Sequence, residues 1–85
     1  MGFLKSLDHH TGLVNSMAAT VHADLATALQ HSQLSGQELR NAVLSCMGCE
    51  NTEACEGWLA DHAAGADQTP AYCRNGALMA RLQNA

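Results

Sequence analysis

Residues 46–59 read CMGCENTEACEGWL and place three of the chain's four cysteines within ten residues. Asn51 or Thr52 is a suitable N-cap for a helix, because its side chain can accept a hydrogen bond from a free amide of the first turn. Glu53 would then lie in that first turn, where a carboxylate interacts favourably with the helix dipole. The stretch therefore predicts the end of one helix, a turn and the start of the next helix, with the thiols at the junction.

The residues before this stretch have the pattern of three amphipathic helices. Apolar residues recur every four positions in a first helix predicted over 9–22. Asp24 is the expected N-cap of a second, short helix that ends near His31. Ser35 and Glu38 form the capping-box pattern at the start of a third helix. The apolar positions of these helices are Leu13, Val14, Met17, Ala18, Val21, Leu25, Leu29, Leu39, Ala42, Val43 and Cys46.

The residues after the stretch predict the rest of the fold. Gly65 is expected to end the fourth helix, since glycine readily adopts the left-handed conformation that follows many helices. Thr69 and Pro70 match the N-cap and first position of a final helix. No segment sustains the alternation of a β-strand, so the sequence predicts a single all-α domain over residues 1–85, a compact bundle of four to five short helices. The core residues are expected to include Leu13, Met17, Leu39, Val43, Trp58, Leu59, Leu78 and Leu82.

The chain is short for a protein that relies on its apolar core alone. A domain of this length buries only about 60–65% of the surface that its unfolded form exposes. The hydrophobic fraction is 47%, but much of it is alanine, and only Phe3, Trp58 and Tyr72 are aromatic. A covalent or metal crosslink would add stability that such a core lacks.

Positive residues are few and scattered. The chain has four Lys and Arg residues (Lys5, Arg40, Arg74 and Arg81) against eight Asp and Glu residues, a formal net charge of −4. Nucleic-acid binding depends on clustered cations that neutralise phosphates, so we expect no direct nucleic-acid partner. No stretch resembles a signal peptide or approaches the roughly 20 apolar residues of a membrane-spanning helix. We therefore expect a cytoplasmic protein without a membrane partner, in a compartment where persistent disulfides are rare.

The four cysteines, Cys46, Cys49, Cys55 and Cys73, have the spacing C-x2-C-x5-C-x17-C. All are predicted at helix ends, and N-terminal helix positions lower the pKa of a thiol and favour the metal-binding thiolate. Small buried side chains and disulfides are alternative interpretations. Three of four cysteines within ten residues that include a turn favour a metal centre instead. Zinc sites usually pair two C-x2-C clamps, of which one is present, whereas four thiolates are the ligand set of a [4Fe–4S] cluster. The sequence thus predicts a helical bundle around a four-cysteine metal centre, with zinc as the alternative to the cluster.

The segment CMGCENTEACEGWL resembles the cluster-binding segment of the WhiB-like regulators and, in spacing alone, that of the fumarate–nitrate regulator. Both carry C-x2-C-x5-C and one distant cysteine around a [4Fe–4S] cluster that is sensitive to oxygen and nitric oxide. The resemblance covers about a sixth of the chain and implies Cys46, Cys49 and Cys55 as three ligands, with Cys73 as the fourth. The distant cysteine precedes the triplet in the WhiB-like segment and follows it here. Neither the basic tail of that family nor the helix-turn-helix domain of the other is found, so their DNA-binding role is not carried over.

Over its whole length the chain resembles a family of small uncharacterised alphaproteobacterial proteins. Their pattern is an LxxHxxLVxxM opening, then LSxxELRxAVxxCxxCxxxxxCxxWL, then Px[FY]C and an asparagine. The matching positions are Leu7, His10, Leu13, Val14, Met17, Leu34, Ser35, Glu38, Leu39, Arg40, the cysteines, Trp58, Leu59, Pro70, Tyr72 and Asn75. This resemblance implies no activity, and it supports the cysteines as one unit.

Three apolar residues are expected beside the metal. Trp58 and Leu59 follow Cys55 by about one helical turn, so they share its face of the fourth helix and would shield a cluster from water. Tyr72, beside Cys73, is expected to do the same. His62 lies one turn beyond Trp58 and is an alternative fourth ligand.

The acidic residues near the cysteines suggest how the protein acts. Glu50, Glu53, Glu56 and Asp61 would lower the reduction potential of a cluster, or would equally form a rim that attracts a basic docking surface on a protein partner. A solvated acidic face with neither role is the alternative interpretation for each of them. No nucleophile–histidine–acid arrangement, acid/base carboxylate pair or phosphate loop is found, so we do not expect an enzyme. The expected function is that of a [4Fe–4S] redox protein, or one responsive to oxidant or nitric oxide, which acts through a protein partner. The alternative is a structural zinc adaptor.

Overall fold

A computed structural model of the chain describes residues 2–83 and folds them into five α-helices without a β-strand. The helices are α1 (Gly2–Thr20), α2 (Leu25–Gln30), α3 (Gly36–Met47), α4 (Thr52–Asp61) and α5 (Gly76–Gln83). The Cα radius of gyration is 12.2 Å, close to the value of about 12 Å expected for a globular domain of this length. The predicted all-α bundle is therefore confirmed. None of the helices in this range has the length and apolar character needed to cross a membrane.

The first helix is longer at its N-terminus than predicted and shorter at its C-terminus. It begins at Gly2 and not at residue 9. Its first turns are helical although Phe3 and Leu4 are exposed, so the apolar pattern of a buried face did not reveal them. It ends at Thr20 because His22 adopts a left-handed conformation, with a φ of 64°. The Ala23 amide then donates to the Ala18 carbonyl across 2.8 Å, which satisfies the last turn as in a Schellman motif.

The capping predictions for α2 and α3 are confirmed. The Asp24 carboxylate accepts hydrogen bonds from the Thr27 amide and hydroxyl, at 3.0 and 2.8 Å. At the start of α3, the Ser35 hydroxyl accepts from the Glu38 amide at 3.0 Å, and the Glu38 carboxylate accepts from the Ser35 amide at 3.1 Å. Each pair satisfies amides that a helix leaves free in its first turn, which fixes where these helices begin.

The predicted start of the final helix is wrong. Thr69 and Pro70 do not begin α5, which starts at Gly76. The Cys73 amide donates to the Pro70 carbonyl across 3.0 Å, so the chain forms a turn here instead of a helix. This turn folds back on the start of α5, since a Cβ atom on Gly76 would lie 3.0 Å from the Thr69 hydroxyl.

The fourth helix is also shorter than predicted. It ends at Asp61, and Gly65 follows in a turn, with a φ of 113° and its amide donating to the His62 carbonyl. Asn51 is the N-cap residue, but its side chain makes no capping hydrogen bond.

The hydrophobic core lies between α1 and the helices that pack against it, α3 and α4 among them. Four of the predicted core residues are buried: Leu13, Met17, Val43 and Leu82. The other four are only partly buried against the core: Leu39, Trp58, Leu59 and Leu78. The largest fully buried side chains are Leu34, Met79 and Val21. Leu34 was missed because it lies outside the helices, directly before the α3 cap, where an apolar residue packs against the second turn of the helix.

Candidate metal centre

All four cysteines line one small cavity of about 30 Å³. They come from three parts of the chain, the end of α3, the start of α4 and the segment before α5, and each is free and half-buried. The remaining lining residues are Leu13, Thr52, Tyr72, Arg74 and Asn75. The tertiary fold therefore gathers the predicted ligand set, Cys46, Cys49, Cys55 and Cys73, at one place.

The first three thiols are placed by the junction of α3 and α4. Cys46 lies in the last turn of α3, and the Cys49 amide donates to its carbonyl across 3.0 Å in the turn that follows. Cys55 lies in the first turn of α4, and its amide donates to the Asn51 carbonyl across 2.8 Å. The junction of these two helices therefore places all three thiols at the wall of the same cavity.

Cys73 reaches the cavity from a loop and not from a helix. The expectation that it lies in the first turn of the last helix is wrong, because α5 begins at Gly76. Asn75 explains its placement: this residue is buried, and its Nδ2 donates to the Ala42 carbonyl of α3 across 2.9 Å. The hydrogen bond holds the end of the loop against α3, which carries Cys46.

Two sulfur atoms accept hydrogen bonds from the backbone two residues further on. The Asn51 amide donates to Cys49 Sγ across 3.4 Å. The Asn75 amide and the Thr69 side chain donate hydrogen bonds to Cys73, and both hydrogen bonds lower the pKa of its thiol. Donors of this kind stabilise a thiolate, and ligands of metal sites are commonly held by such hydrogen bonds.

Burial raises the pKa of three of the four thiols in the metal-free chain, those of Cys46, Cys55 and Cys73. Burial, followed by the neighbouring thiols of Cys55, Cys49 and Cys73, raises the pKa of Cys46 to about 11. Burial is also the largest cause that raises the pKa of Cys55 and of Cys73. The expected lowering of the pKa at a helix N-terminus is therefore outweighed at Cys55. Metal binding would have to release these protons, as it does at cysteine sites in general.

The predicted shielding residues lie in two different places. Tyr72 lines the cavity, and burial together with the thiols of Cys55, Cys49 and Cys73 raises its pKa. Trp58 and Leu59 are half-buried against the hydrophobic core and do not line the cavity. Leu13 of α1 supplies the apolar wall instead.

His62, the alternative fourth ligand, is engaged outside the cavity. Its ring stacks on the Trp58 indole, with centroids 4.2 Å apart and an interplanar angle of 21°. Its Nδ1 lies 2.8 Å from the Trp58 carbonyl oxygen and donates to it in the matching tautomer. The structure therefore does not bring His62 to the thiols.

The acidic residues around the site are exposed, as the rim interpretation requires. Glu50, Glu53 and Asp61 face solvent. Glu56 lies 2.9 Å from His9 Nε2, so it also joins α4 to α1 when that imidazole is protonated. Arg74 adds a positive charge at the cavity itself.

The four thiols lie at one cavity without forming a ready metal site. Within residues 2–83, no three His, Cys, Asp or Glu side chains are arranged to hold one metal ion. All four thiols nevertheless share one cavity and interact electrostatically. The donor set fits a thiolate-bound centre in its chemistry.

Sequence reasoning missed three contributors: Leu13 as a wall of the cavity, Arg74 as its cation and Asn75 as the anchor of the loop. Arg74 and Asn75 directly follow Cys73, so their position beside the fourth thiol was the available signal. Leu13 gave none, because its spacing is that of any core residue of an amphipathic helix.

Comparison with known proteins identifies a family and no characterised relative. No curated protein and no solved structure is significantly similar to the chain. A family model described as a family of unknown function matches residues 1–85. The chain therefore belongs to this family of unknown function, DUF6455.

Proposed function

We propose that this protein binds a metal centre through Cys46, Cys49, Cys55 and Cys73. One observation carries the proposal: Cys73, from the segment before α5, lines the same cavity as the three thiols of the α3–α4 junction. Three of these cysteines also pack against the hydrophobic core, as small apolar side chains do, but that role does not require all four to share one cavity. Backbone amides directed at two of the sulfur atoms add support, since they stabilise the charged form that binds metal.

A [4Fe–4S] cluster is the centre that the number and the sequence spacing of the cysteines support best. Structural zinc sites commonly pair two C-x2-C clamps, of which this chain has one. A cluster binds one thiolate at each of four irons, which matches the four cysteines that line the cavity.

Zinc remains the second candidate because the cavity is small. About 30 Å³ has room for one ion but not for four irons and four sulfides unless side chains move outward. The volume depends on the rotamers of the lining side chains, Leu13 and Tyr72 among them. The sequence spacing of the cysteines does not depend on rotamers, and it favours the cluster.

With a cluster bound, the protein would transfer electrons or respond to oxidant or nitric oxide. It would act through a protein partner, since its few cations do not form a phosphate-binding surface and its exposed carboxylates favour a basic docking surface. We place it in the cytoplasm, where thiols remain reduced. No catalytic activity of its own belongs to this proposal. With zinc bound, the same surface would serve a structural adaptor.

The test is the metal content of the full chain purified without oxygen. We expect a coloured protein with four irons and four acid-labile sulfides per chain, and a visible absorption band that oxygen or nitric oxide removes. Replacement of any one of the four cysteines by serine should lower the iron content severely, whereas Ser45→Ala, next to Cys46 but outside the cavity, should leave it unchanged.

The outcomes separate the alternatives. A colourless protein with one zinc per chain would establish the adaptor site instead of the cluster. A chain that binds neither metal, or that forms disulfides in reducing buffer, would overturn the proposal. A partner is tested by capture from anaerobic lysate with wild-type protein and Cys73→Ser, and equal recovery by both would contradict a role for the centre in docking.

A further inference from the structure

Arg74 is one of the residues that line the cavity of the four cysteines. Its side chain lies across the turn between Cys46 and Cys49. A Cβ atom on Gly48 would be 3.1 Å from Arg74 Nη1 and 3.8 Å from Arg74 Cζ. The backbone at Gly48 has a φ of −83°, which any residue adopts, so this conformation does not require glycine. The missing side chain at position 48 instead leaves the space that the guanidinium occupies.

The other Lys and Arg side chains do not line the cavity of the four cysteines. Arg81 pairs with Glu38 at 2.9 Å, and Arg40 donates to the Gln37 side chain at 3.4 Å. Lys5 lies on the exposed first turns of α1. Arg74 forms no ion pair with any carboxylate of the described chain, residues 2–83. Its charge is therefore available to the cavity.

We propose that Arg74 is the charge-compensating residue of the metal centre, an inference that rests on the proposed four-thiolate site. Four thiolates around a core of charge +2, whether a zinc ion or an oxidised cluster, leave a net charge of −2. The carboxylates of the acidic rim make that charge more costly. A guanidinium across the turn between Cys46 and Cys49 offsets part of it, and solvent weakens the interaction because Arg74 is exposed.

The chemistry of arginine suits this position better than that of lysine. The guanidinium stays charged and offers several N–H donors in a fixed plane, which can be shared among neighbouring sulfur atoms. An ammonium is a more strongly hydrated point charge on a flexible chain, so it would compensate less well. The proposal therefore distinguishes Arg74→Lys from both wild type and Arg74→Gln.

The experiment compares four full-length chains purified without oxygen: wild type, Arg74→Gln, Arg74→Lys and Arg40→Gln. Arg40→Gln removes the same charge from an exposed site on α3 and is the matched control. The readout is the retention of iron or zinc against a chelator. We expect Arg74→Gln to retain its metal about tenfold less well, Arg74→Lys to be intermediate, and Arg40→Gln to match wild type. If iron is present, its reduction equilibrium should shift tenfold, or about 59 mV for one electron, towards the oxidised form.

A fifth chain, Gly48→Ala, keeps the charge and displaces the guanidinium. A Cβ contact of 3.1 Å requires the flexible end of Arg74 to move by a few tenths of an ångström. Metal retention should therefore fall in the same direction as for Arg74→Gln, by a smaller factor. Thermal unfolding of each metal-free chain serves as the folding control, since Arg74 is exposed and should contribute little to stability.

The outcomes separate this inference from the proposed function. Full metal content in wild type with equal retention in Arg74→Gln would overturn the role of Arg74 and leave the centre intact. Equal losses of metal in Arg74→Gln and Arg40→Gln would show that only the net charge of the chain matters. That result would also overturn the role of Arg74. Unchanged retention in Gly48→Ala would show that the guanidinium does not act from its position across the turn. A wild-type chain without metal would overturn the proposed function and this inference together.

Discussion

Asn75 and Ala42 are joined by a buried hydrogen bond, in which Asn75 Nδ2 donates to the Ala42 carbonyl across 2.9 Å. The bond connects the segment before α5 to the middle of α3. Cys73 lies two residues before this anchor, and Cys46 lies one turn after Ala42 on α3. The hydrogen bond of a neighbouring side chain, and not a helix that carries Cys73, thus holds the fourth thiol near the other three.

Loss of this anchor should weaken both the fold and the site. We expect Asn75→Ala to lower the free energy of unfolding by about 1–2 kcal/mol, the usual contribution of a buried hydrogen bond. Metal content should fall as well, since Cys73 is no longer held against α3. Denaturant unfolding and metal analysis measure the two effects. Asn41→Ala, at an exposed position beside Ala42, is the control, and an equal loss there would contradict the anchoring role.

Leu34 should be among the most important residues for stability, although it lies outside the helices. Its side chain is 1% exposed, whereas that of Leu44 on α3 is 46% exposed. Leu34→Ala should cost about 2–5 kcal/mol, because it removes buried apolar contacts and leaves a cavity. Leu44→Ala should change stability by less than about 0.5 kcal/mol. Chemical denaturation of both metal-free variants checks the difference, and similar midpoints would contradict the position of the core.

Glu38 should make stability depend on pH in the acid range. The hydrogen bond from the Ser35 amide, and then that from the Arg81 guanidinium, hold the pKa of Glu38 below its ordinary value of 4.5. The stabilisation is therefore present above pH 4.5 and is lost as pH falls through the lower folded pKa. We expect Glu38→Gln to be less stable than wild type at neutral pH and to approach it below that pKa. Thermal unfolding over a pH series measures this.

The control for the pH series is Glu50→Gln. Glu50 is exposed and forms no hydrogen bond or ion pair within the described residues, 2–83. Glu50→Gln therefore removes an exposed carboxylate that lacks the hydrogen bonds of Glu38, and the pH series compares the two variants. A difference for Glu38→Gln that persists in acid would show that lost packing, and not the charge, causes its effect.

Substitutions of the cysteines should be non-additive. If the thiols form one centre, Cys46→Ser alone should release most of the metal, and adding Cys73→Ser should release little more. Two independent sites would instead lose metal in two separate, additive steps. Metal content of the two single variants and the double variant distinguishes these cases. In the metal-free state all three chains should unfold at similar denaturant concentrations, because each change alters only half-buried side chains.

The sequence by itself determined the local structure. Capping residues, apolar spacing and the absence of strand alternation were sufficient to predict the all-α bundle, the starts of α2 and α3, and the junction that holds Cys46, Cys49 and Cys55. These features are local because each depends on hydrogen bonds or apolar contacts between residues a few positions apart. The start of α5 was predicted wrongly because Thr69 and Pro70 favour a helix start but equally favour a turn.

Only the tertiary structure decided which residues surround the thiols. Trp58 shares a helix with Cys55, yet its ring stacks on His62 and stays out of the cavity. Leu13 reaches the site from α1, and Asn75 holds the segment with Cys73 against α3, far away in the sequence. Helical periodicity predicts which residues share a face of a helix. Which other helix or loop packs against that face depends on the tertiary structure. That packing is fixed by contacts between residues far apart in sequence, such as the one between Asn75 and Ala42.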